Sequence, residues 1–422
     1  MKRLLVVAIG VLSLWAAPGA FAATWCGTGE SPIDRPDVVT GRQIHAIYAV
    51  ASDGGDTFPT VSTTIATDVA SITSWWQGQD PTRIPNFDQA VFPAGTCVDV
   101  SVVRLPTTQA ALSAAGAANA YELVGDELEA AGFQNPYKKY LVYYDGQSVQ
   151  DGVCGTGGGE FATGPAFAIV WLQGCPGVPT DSIAAHELLH ALGALPAGAP
   201  HACPGDSGHP CDSSLDVLYP YNSGLPLSQL YLDWNHDDYY AHSGSWIDIQ
   251  DSLWLHRLDE APVSLTLAFT GAGEVVSDLP GLDCTANCTT QWDPGSQVTL
   301  MPKAGATSHF VRWGGACIGI ADCSLTLQAA QTATALFGPK TIPVRVKTVG
   351  KGRVSCTPAC SGRFNAGRAL RLKALPLTGW RFTGWSGACK GTSSTCRPVT
   401  DFALAVTATF KKKPAVTKKK KR

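Results

Sequence analysis

Residues 180–193 read Thr-Asp-Ser-Ile-Ala-Ala-His-Glu-Leu-Leu-His-Ala-Leu-Gly. Small polar residues precede an apolar-periodic run, and Gly193 follows the last apolar residue, so the stretch predicts a capped helix from about Ser182. His186 and His190 are one turn apart on that helix, and their side chains therefore lie on nearly the same face. Two imidazoles placed in this way can bind one metal ion.

Glu187 follows the first histidine, and its side chain points about 100° away from it around the helix axis. That direction keeps the carboxylate off the metal but close to a water molecule bound there. Imidazole donors favour Zn²⁺, which lowers the pKa of water to about 7 in catalytic sites. We therefore predict that Glu187 is a general base. The competing interpretation, a helix whose histidines make ordinary hydrogen bonds, accounts for neither the glutamate nor the terminating glycine.

This pattern resembles the signature of the metzincin clan of zinc metalloendopeptidases, His-Glu-x-x-His-x-x-Gly-x-x-His followed by a methionine turn. His186, Glu187, His190 and Gly193 match the signature, but Pro196 stands where the third histidine belongs. The helix must end at the glycine before the chain can return to the metal. A histidine delayed by an insertion is therefore the simplest source of the third ligand.

Two histidines follow at a suitable distance, His201 and His209. We expect His201 to be the third ligand ahead of His209, with Asp212 and Asp216 as the remaining candidates. Both histidines flank or lie inside a predicted Cys203–Cys211 disulfide loop. The histidine that does not ligate would bind substrate or hold the loop.

Residues 213–221 resemble the methionine turn, with Leu218 in the methionine position. In the clan this residue is a platform beneath the zinc and not a ligand, so the replacement is expected to leave the chemistry intact. Tyr219 or Tyr221 is a candidate to donate a hydrogen bond to the oxyanion or to contact substrate. A place in the hydrophobic core is the competing role for both tyrosines.

Strand and helix patterns alternate before the motif, which predicts an α/β (α+β) domain with helices packed on a sheet. The resemblance implies a five-stranded mixed sheet above the active-site helix, whose edge strand pairs with an extended peptide. Ala166–Leu172 is the candidate for that strand, and Gly157–Gly159 before it suggest a mobile rim. The segment 110–131 predicts one long helix on this sheet.

Two tandem β modules follow this domain. The second repeats the pattern of the first 72 residues later, as three pairs of positions illustrate: Cys284 and Cys356, Trp313 and Trp385, Cys317 and Cys389. Alternating patterns with Gly and Pro punctuation predict small, disulfide-stapled all-β domains. The modules resemble divergent internalin B-repeats of bacterial surface and secreted proteins, which implies spacer or adhesive functions.

The N-terminus and the cysteines indicate export. Lys2 and Arg3 precede an apolar run that ends in Ala20-Phe-Ala22, which predicts a cleavable signal peptide. The 14 cysteines fit seven disulfides formed in an oxidising compartment. We expect a secreted, extracellular or cell-surface protein. The predicted divisions are a signal peptide at 1–22, a metallopeptidase-like domain at 23–260, modules at 262–339 and 341–411, and a basic disordered tail at 412–422.

Charge is distributed unevenly along the chain. Residues 341–422 contain 19 of the 31 Lys and Arg residues and a single acid, Asp401. The rest contains 12 basic and 33 acidic residues. Such asymmetry predicts different partners for the two parts. The basic part is expected to attract an anionic cell-envelope polymer, and no specific nucleic-acid partner is expected.

A second metal is considered for Asp233–Asp238, where oxygen ligands alternate as in a calcium loop. However, Asp238 stands where an EF-hand needs Gly, and Gly244 where it needs the bidentate Glu. A surface turn is therefore preferred to calcium. The sequence as a whole supports a secreted zinc-dependent endopeptidase that acts on protein or peptide substrates. The alternative is a non-catalytic cell-surface or adhesive protein with a structural or degenerate zinc site.

Overall fold

The computed structural model describes residues 25–194, 198–221 and 224–414. The predicted signal peptide, Pro196 and most of the basic tail lie outside the described residues. The chain is a mixed α+β protein in which strands outnumber helices, and its C-terminal part is built of disulfide-bonded β-sheets. In the described ranges no helix combines the length and apolar character needed to cross a membrane.

A five-stranded sheet with helices on both faces forms the first part of the chain. The helices are α1 (Phe58–Gln79), α2 (Gln109–Ala115), α3 (Ala117–Ala130) and α4 (Thr180–Ala191). The strands of this part are β1 (Gln43–Val50), β2 (Arg83–Pro85), β3 (Gln89–Phe92), β4 (Gly95–Val98), β5 (Val100–Arg104), β6 (Lys138–Tyr144), β7 (Gly155–Gly158), β8 (Phe167–Trp171), β9 (Ala202–Cys203), β10 (Asp206–Pro210) and β11 (Leu255–Arg257). The order of the five-stranded sheet is β5-β1-β6-β8-β7, and β7 alone is antiparallel to its neighbour.

The central strands of this sheet are buried along their whole length. Alternate side chains of β1 enter two different cores: Ile44 and Tyr48 pack with α1 and α4, while Ile47 and Ala49 pack with α2 and α3. A strand covered on both faces needs apolar residues at successive positions. Burial on both faces therefore explains the near-continuous apolar runs of β1 and β6.

Two predicted helices differ from the observed ones. The long helix expected over 110–131 is broken at Gly116, whose φ of +79° suits glycine, and so forms α2 and α3. Helix α4 begins after Pro179 without a side-chain cap. The expected cap is therefore wrong, because Asp181 instead accepts a hydrogen bond from the hydroxyl of Ser71 at 2.6 Å.

The strand expected to pair with substrate is not at the edge of the sheet. Strand β8 lies between β6 and β7, and β7, with the sequence Gly-Thr-Gly-Gly, is the edge. The predicted mobile rim, Gly157–Gly159, thus contributes two residues to a regularly paired strand. Three glycines in four residues have neither the apolar alternation nor the side-chain preferences that mark a strand in sequence.

Residues 263–412 form two β modules that share one design. The first contains β12 (Val263–Thr270), β13 (Gly273–Ser277), β14 (Asp283–Cys284), β15 (Cys288–Trp292), β16 (Ser296–Ala304), β17 (Ser308–Gly315), β18 (Cys323–Leu327) and β19 (Gln331–Pro339). The second contains β20 (Thr341–Val349), β21 (Gly352–Thr357), β22 (Ser361–Asn365), β23 (Arg371–Pro376), β24 (Trp380–Gly387), β25 (Thr395–Cys396) and β26 (Leu404–Lys412). Each module has a four-stranded sheet, with orders β15-β12-β19-β17 and β22-β20-β26-β24, and a second sheet, with orders β14-β13-β16-β18 and β21-β23-β25.

The repeated tryptophans have the same place in both modules. Trp313 and Trp385 are buried, and each donates a hydrogen bond of 2.8 Å from Nε1 to the carbonyl oxygen eight residues later, that of Ala321 or Ser393. The prediction of seven disulfides is also confirmed, since all cysteines are paired. The pairs are Cys26–Cys97, Cys154–Cys175, Cys203–Cys211, Cys284–Cys288, Cys317–Cys323, Cys356–Cys360 and Cys389–Cys396.

Candidate metal centre

Three histidines meet beside the edge of the first sheet. Helix α4 carries His186 and His190, and strand β10 carries His209. Their three Nε2 atoms are each 3.2 Å from the other two. Imidazole nitrogens about 2.0 Å from a tetrahedral zinc ion are about 3.3 Å apart. The triangle of nitrogens therefore has the size that one zinc ion requires.

Hydrogen bonds at the opposite ring nitrogens determine where the protons lie. His186 Nδ1 donates to the carbonyl oxygen of Val217 at 2.7 Å, and His209 Nδ1 donates to the carboxylate of Asp206 at 2.9 Å. A neutral imidazole carries one proton, so the Nε2 atoms of these two rings can only accept. Two acceptors 3.2 Å apart cannot bond to each other. A cation between the two Nε2 atoms would satisfy both of them.

The surroundings keep two of these rings neutral. Burial, together with the neighbouring imidazole of His209, lowers the pKa of His186 to about 4. Burial and both neighbouring rings lower the pKa of His190 well below its usual value. Neutral imidazole is the form that binds metal ions. An ion that binds at neutral pH therefore displaces no proton from either ring.

Glu187 is buried next to the triangle, with only 6% of the residue exposed. Burial raises the pKa of its carboxyl to about 8. A divalent cation nearby would oppose this shift, because it stabilises the carboxylate. The carboxylate lies against Gly155 of β7, where a Cβ atom would be 2.4 Å from Cγ and 2.5 Å from Oε1 of Glu187. The absence of a side chain at Gly155 is what leaves room for the glutamate.

A cleft of about 570 Å³ opens over these groups. Strand β7 lines it on one side, and Tyr219 and Tyr221 line it as well. Tyr221 is 75% exposed, and the two tyrosine rings are 6.0 Å apart. The structure therefore brings both predicted oxyanion or substrate residues to the cleft. Neither of them is a core residue.

The turn with Leu218 in the methionine position packs in the same core as α4, and Leu218 is fully buried. Asp216 braces this turn, because its carboxylate accepts hydrogen bonds from the amides of Leu218 and Trp234, both at 2.7 Å. The hydroxyl of Tyr239 donates a third hydrogen bond to it at 2.9 Å. Asp216 is thus occupied structurally and does not join the histidines.

The structure does not bring His201, the preferred third ligand on sequence grounds, to the triangle. Its amide donates to Asp238 Oδ1 at 2.9 Å, and its ring Nδ1 lies 3.2 Å from Asp238 Oδ2. With Asp212 and Asp237 it belongs to a separate group of closely spaced side chains. The reason is the β9–β10 hairpin, which reverses the chain and turns His209, not His201, toward α4. The geometry therefore favours His209.

The segment considered for calcium is not built as a calcium loop. The carboxylate of Asp233 accepts hydrogen bonds from the amides of Asp238, Tyr239 and Tyr240 at 3.1, 2.7 and 2.6 Å. These bonds use the oxygen that a calcium ion would need from the first loop position. The segment is a turn closed on itself, but it is not the surface turn that was expected, because Asp233 and Asp238 are buried.

Two residues that support the candidate metal centre were not predicted from the sequence. Asp206 holds the ring of His209 from three residues away, and a carboxylate so close to a candidate histidine is a usable sequence signal. Gly155 makes room for Glu187 from a strand 32 residues earlier. Nothing in the sequence links these two positions, because only the packing of β7 on α4 brings them together.

Comparison with known proteins identifies one part of the chain. The family model of the divergent InlB B-repeat domain matches residues 342–414. The resemblance predicted for the second module is thereby confirmed. No curated protein matches the sequence significantly.

Solved structures give only distant similarities. Wild-type OgpA from Akkermansia muciniphila aligns with 89% of this chain and 97% of its own, at 12% identity and a TM-score of 0.27. Catalytically inactive OgpA in complex with an O-glycopeptide substrate, glycodrosocin, aligns with 88% of this chain and 97% of its own, at 10% identity and a TM-score of 0.25. The major pilin T-13 of Streptococcus pyogenes covers 36% of this chain and 98% of its own, at 8% identity and a TM-score of 0.14. Similarities of this size do not establish a shared fold.

Proposed function

We propose that this protein is a zinc-dependent endopeptidase in which His186, His190 and His209 hold the metal and Glu187 is the general base. The observation that carries the proposal is the triangle of bare imidazole nitrogens beside a buried glutamate in an open cleft. Within the described ranges, no fourth His, Cys, Asp or Glu joins this group. Structural zinc sites have four protein ligands and catalytic sites three, so the set favours catalysis over the non-catalytic alternative.

The chain's own residues divide the work of peptide hydrolysis. Zinc, when bound, supplies a Lewis acid that polarises the scissile carbonyl and makes water more acidic. Glu187 takes the proton from the attacking water and returns it to the leaving amine. Its place in the cleft beside the histidines supports this role, because a general base must lie within reach of the water that it deprotonates. Tyr219 and Tyr221, which line the cleft, would hydrogen-bond to the carbonyl oxygen or to substrate.

An extended peptide pairs with β7 in this proposal. The strand is the edge of its sheet, so one side of its backbone has no neighbouring strand among the described residues. Backbone groups at such an edge form hydrogen bonds with an added strand. The strand also lines the cleft above Glu187, which would place a paired peptide over the histidines. The seven disulfides fit an extracellular place of action.

Zinc quantitation combined with a casein or gelatin digestion assay tests the proposal. We expect purified protein to contain about one equivalent of zinc, the stoichiometry of a single three-histidine site. Cleavage should cease on treatment with a chelator and return on addition of zinc. Protein that cleaves casein equally well after complete metal removal would contradict the proposal.

Gly155→Ala should reduce peptide cleavage roughly 100-fold, the cost that a misplacement of about 1 Å typically imposes on catalysis. The added Cβ would overlap Glu187, whose flexible side chain must then move. The backbone tolerates alanine, because Gly155 is not among the residues with positive φ. Zinc content should stay the same, since no histidine is touched.

Gly158→Ala in the same strand is the matched control. Its Cβ would meet only the side chain of Tyr121, whose hydroxyl is 3.3 Å away, so activity should fall much less. Steady-state kinetics on a fluorogenic peptide, with zinc content measured in parallel, compares the two variants. Equal activities, or loss of zinc from the Gly155 variant, would show that this glycine does not position the base.

A further inference from the structure

Five basic side chains lie on one face of the four-stranded sheet in the second β module. The neighbouring residues Val344, Val406, Ala408 and Phe410 are buried in the module, so the alternate positions face outward. The exposed residues of this basic face are Arg345 and Lys347 on β20, Arg363 on β22, Arg381 on β24 and Lys411 on β26.

The basic face concentrates positive charge without compensation. Arg381 lies directly opposite Lys411 in the antiparallel pair of β24 and β26, where like charges repel. Arg345 and Lys347 are two residues apart on β20, on the same side of the strand. Within the described part of the chain, none of the five forms an ion pair. Such a surface is suited to bind an anionic group of another molecule.

The first module is an internal control, because it forms the same sheet with a different face. The strand registers show which residue of the first module occupies the position of each basic residue, and none of these residues is Lys or Arg. The corresponding pairs are Arg345 and Thr266, Lys347 and Ala268, Arg363 and Gln291, Arg381 and His309, and Lys411 and Gly338. Residues 262–339 contain five acidic and two basic residues, whereas 341–411 contain one acidic and twelve basic residues. The fold therefore does not require the positive charge, and a binding role accounts for it.

The chemistry of the face selects a particular kind of polyanion. Proteins that bind single-stranded nucleic acid stack the bases on exposed aromatic side chains. Here Phe364, Trp385 and Phe410 are buried on the inner side of the sheet, and small residues such as Ala405 and Thr407 separate the basic ones on the outer side. The exposed Phe402 precedes β26 and lies outside these strands. Phosphate and carboxylate groups require only cations and hydrogen-bond donors. The face thus suits an anionic chain that has no bases.

We propose that this basic face binds an anionic cell-envelope polymer whose phosphate or carboxylate groups repeat along a flexible chain. The basic face is separate from the metal centre, so the proposal goes beyond peptide hydrolysis. Binding at this face would hold the protein at the cell envelope. Attraction between exposed charges is screened by salt, and binding should weaken as ionic strength rises. The disulfides fit the same compartment as such a polymer.

The test uses the full chain and two variants that lose the same charge. The face variant carries Arg345→Thr, Lys347→Ala and Arg363→Gln, the residues that the first module has at these positions. The control variant carries Arg353→Gln, Arg371→Gln and Lys373→Gln on the outer surface of the other sheet. Binding is measured at low salt to immobilised polyglycerol phosphate, to a carboxylated polysaccharide and to a single-stranded oligonucleotide. Circular dichroism checks that both variants fold.

We expect the face variant to lose about 100-fold in affinity for one of the first two polymers, since each surface cation contributes about fivefold. The polymer that shows this loss identifies phosphate or carboxylate as the ligand group. The control variant should lose less than tenfold. Equal losses in both variants, tighter binding to the oligonucleotide, or no binding to either polymer would overturn the proposal.

Discussion

We expect Glu187→Gln to abolish peptide cleavage while the protein still binds one zinc ion. The amide has the shape of the carboxyl group but cannot accept a proton from water, so the general-base contribution, roughly 10²- to 10⁴-fold in kcat, should be lost. Zinc should remain because the three nitrogens proposed as its ligands lie on His186, His190 and His209, which the substitution leaves in place. Steady-state kinetics on a peptide and elemental analysis of the same sample measure the two effects separately.

Glu122→Gln provides the control for this experiment. Glu122 lies exposed on α3, which packs on the opposite face of the sheet from α4. The control should keep both its activity and its metal. If the Glu187 variant kept a large share of activity, the proposed mechanism would fail. If it lost its zinc, Glu187 would have to be a ligand and not a base.

We expect His209→Ala to remove zinc binding, and with it activity, whereas His201→Ala should leave both almost unchanged. Loss of the third nitrogen leaves only two ligands, both on α4. Removing a residue that only supports a ligand costs up to about 100-fold in metal affinity, so the affinity for zinc should fall by more than that. His201 makes its contacts with Asp238 and lies outside the triangle. Competition for zinc against a chromophoric chelator measures both affinities.

This pair of variants decides between the two histidines that the sequence alone leaves open. X-ray absorption of the zinc-loaded wild type adds an independent count of imidazole ligands. Three imidazoles in the wild type are expected. Zinc loss in the His201 variant, with normal affinity in the His209 variant, would reverse the assignment.

Local geometry explains which parts of the site the sequence could predict. His186 and His190 are four residues apart, and helical spacing alone brings their rings together. The 72-residue recurrence of Trp313 as Trp385 likewise predicted the modules, because a repeat needs no knowledge of tertiary contacts. The alternation of strand and helix patterns was also sufficient to predict a layered sheet.

Long-range packing explains what the sequence could not predict. The β9–β10 hairpin brings His209 to α4. The number of residues between α4 and each histidine gives no reason to prefer His209 to His201. Strand β7 was missed because its glycines contain no pattern of their own, although they are what allows Glu187 to lie beneath it. In both cases the relevant partner is distant in sequence, and the contact depends on how two elements dock.

The hairpin of β9 and β10 has a consequence for the cell that makes this protein. The Cys203–Cys211 bridge closes this hairpin, and a two-stranded hairpin alone is marginally stable in water. Thiols stay reduced in the cytosol, so a chain there would hold only His186 and His190 firmly in place. Formation of the disulfide in an oxidising compartment would fix His209 beside them. Under the proposed function, activity would therefore appear only outside the cytosol.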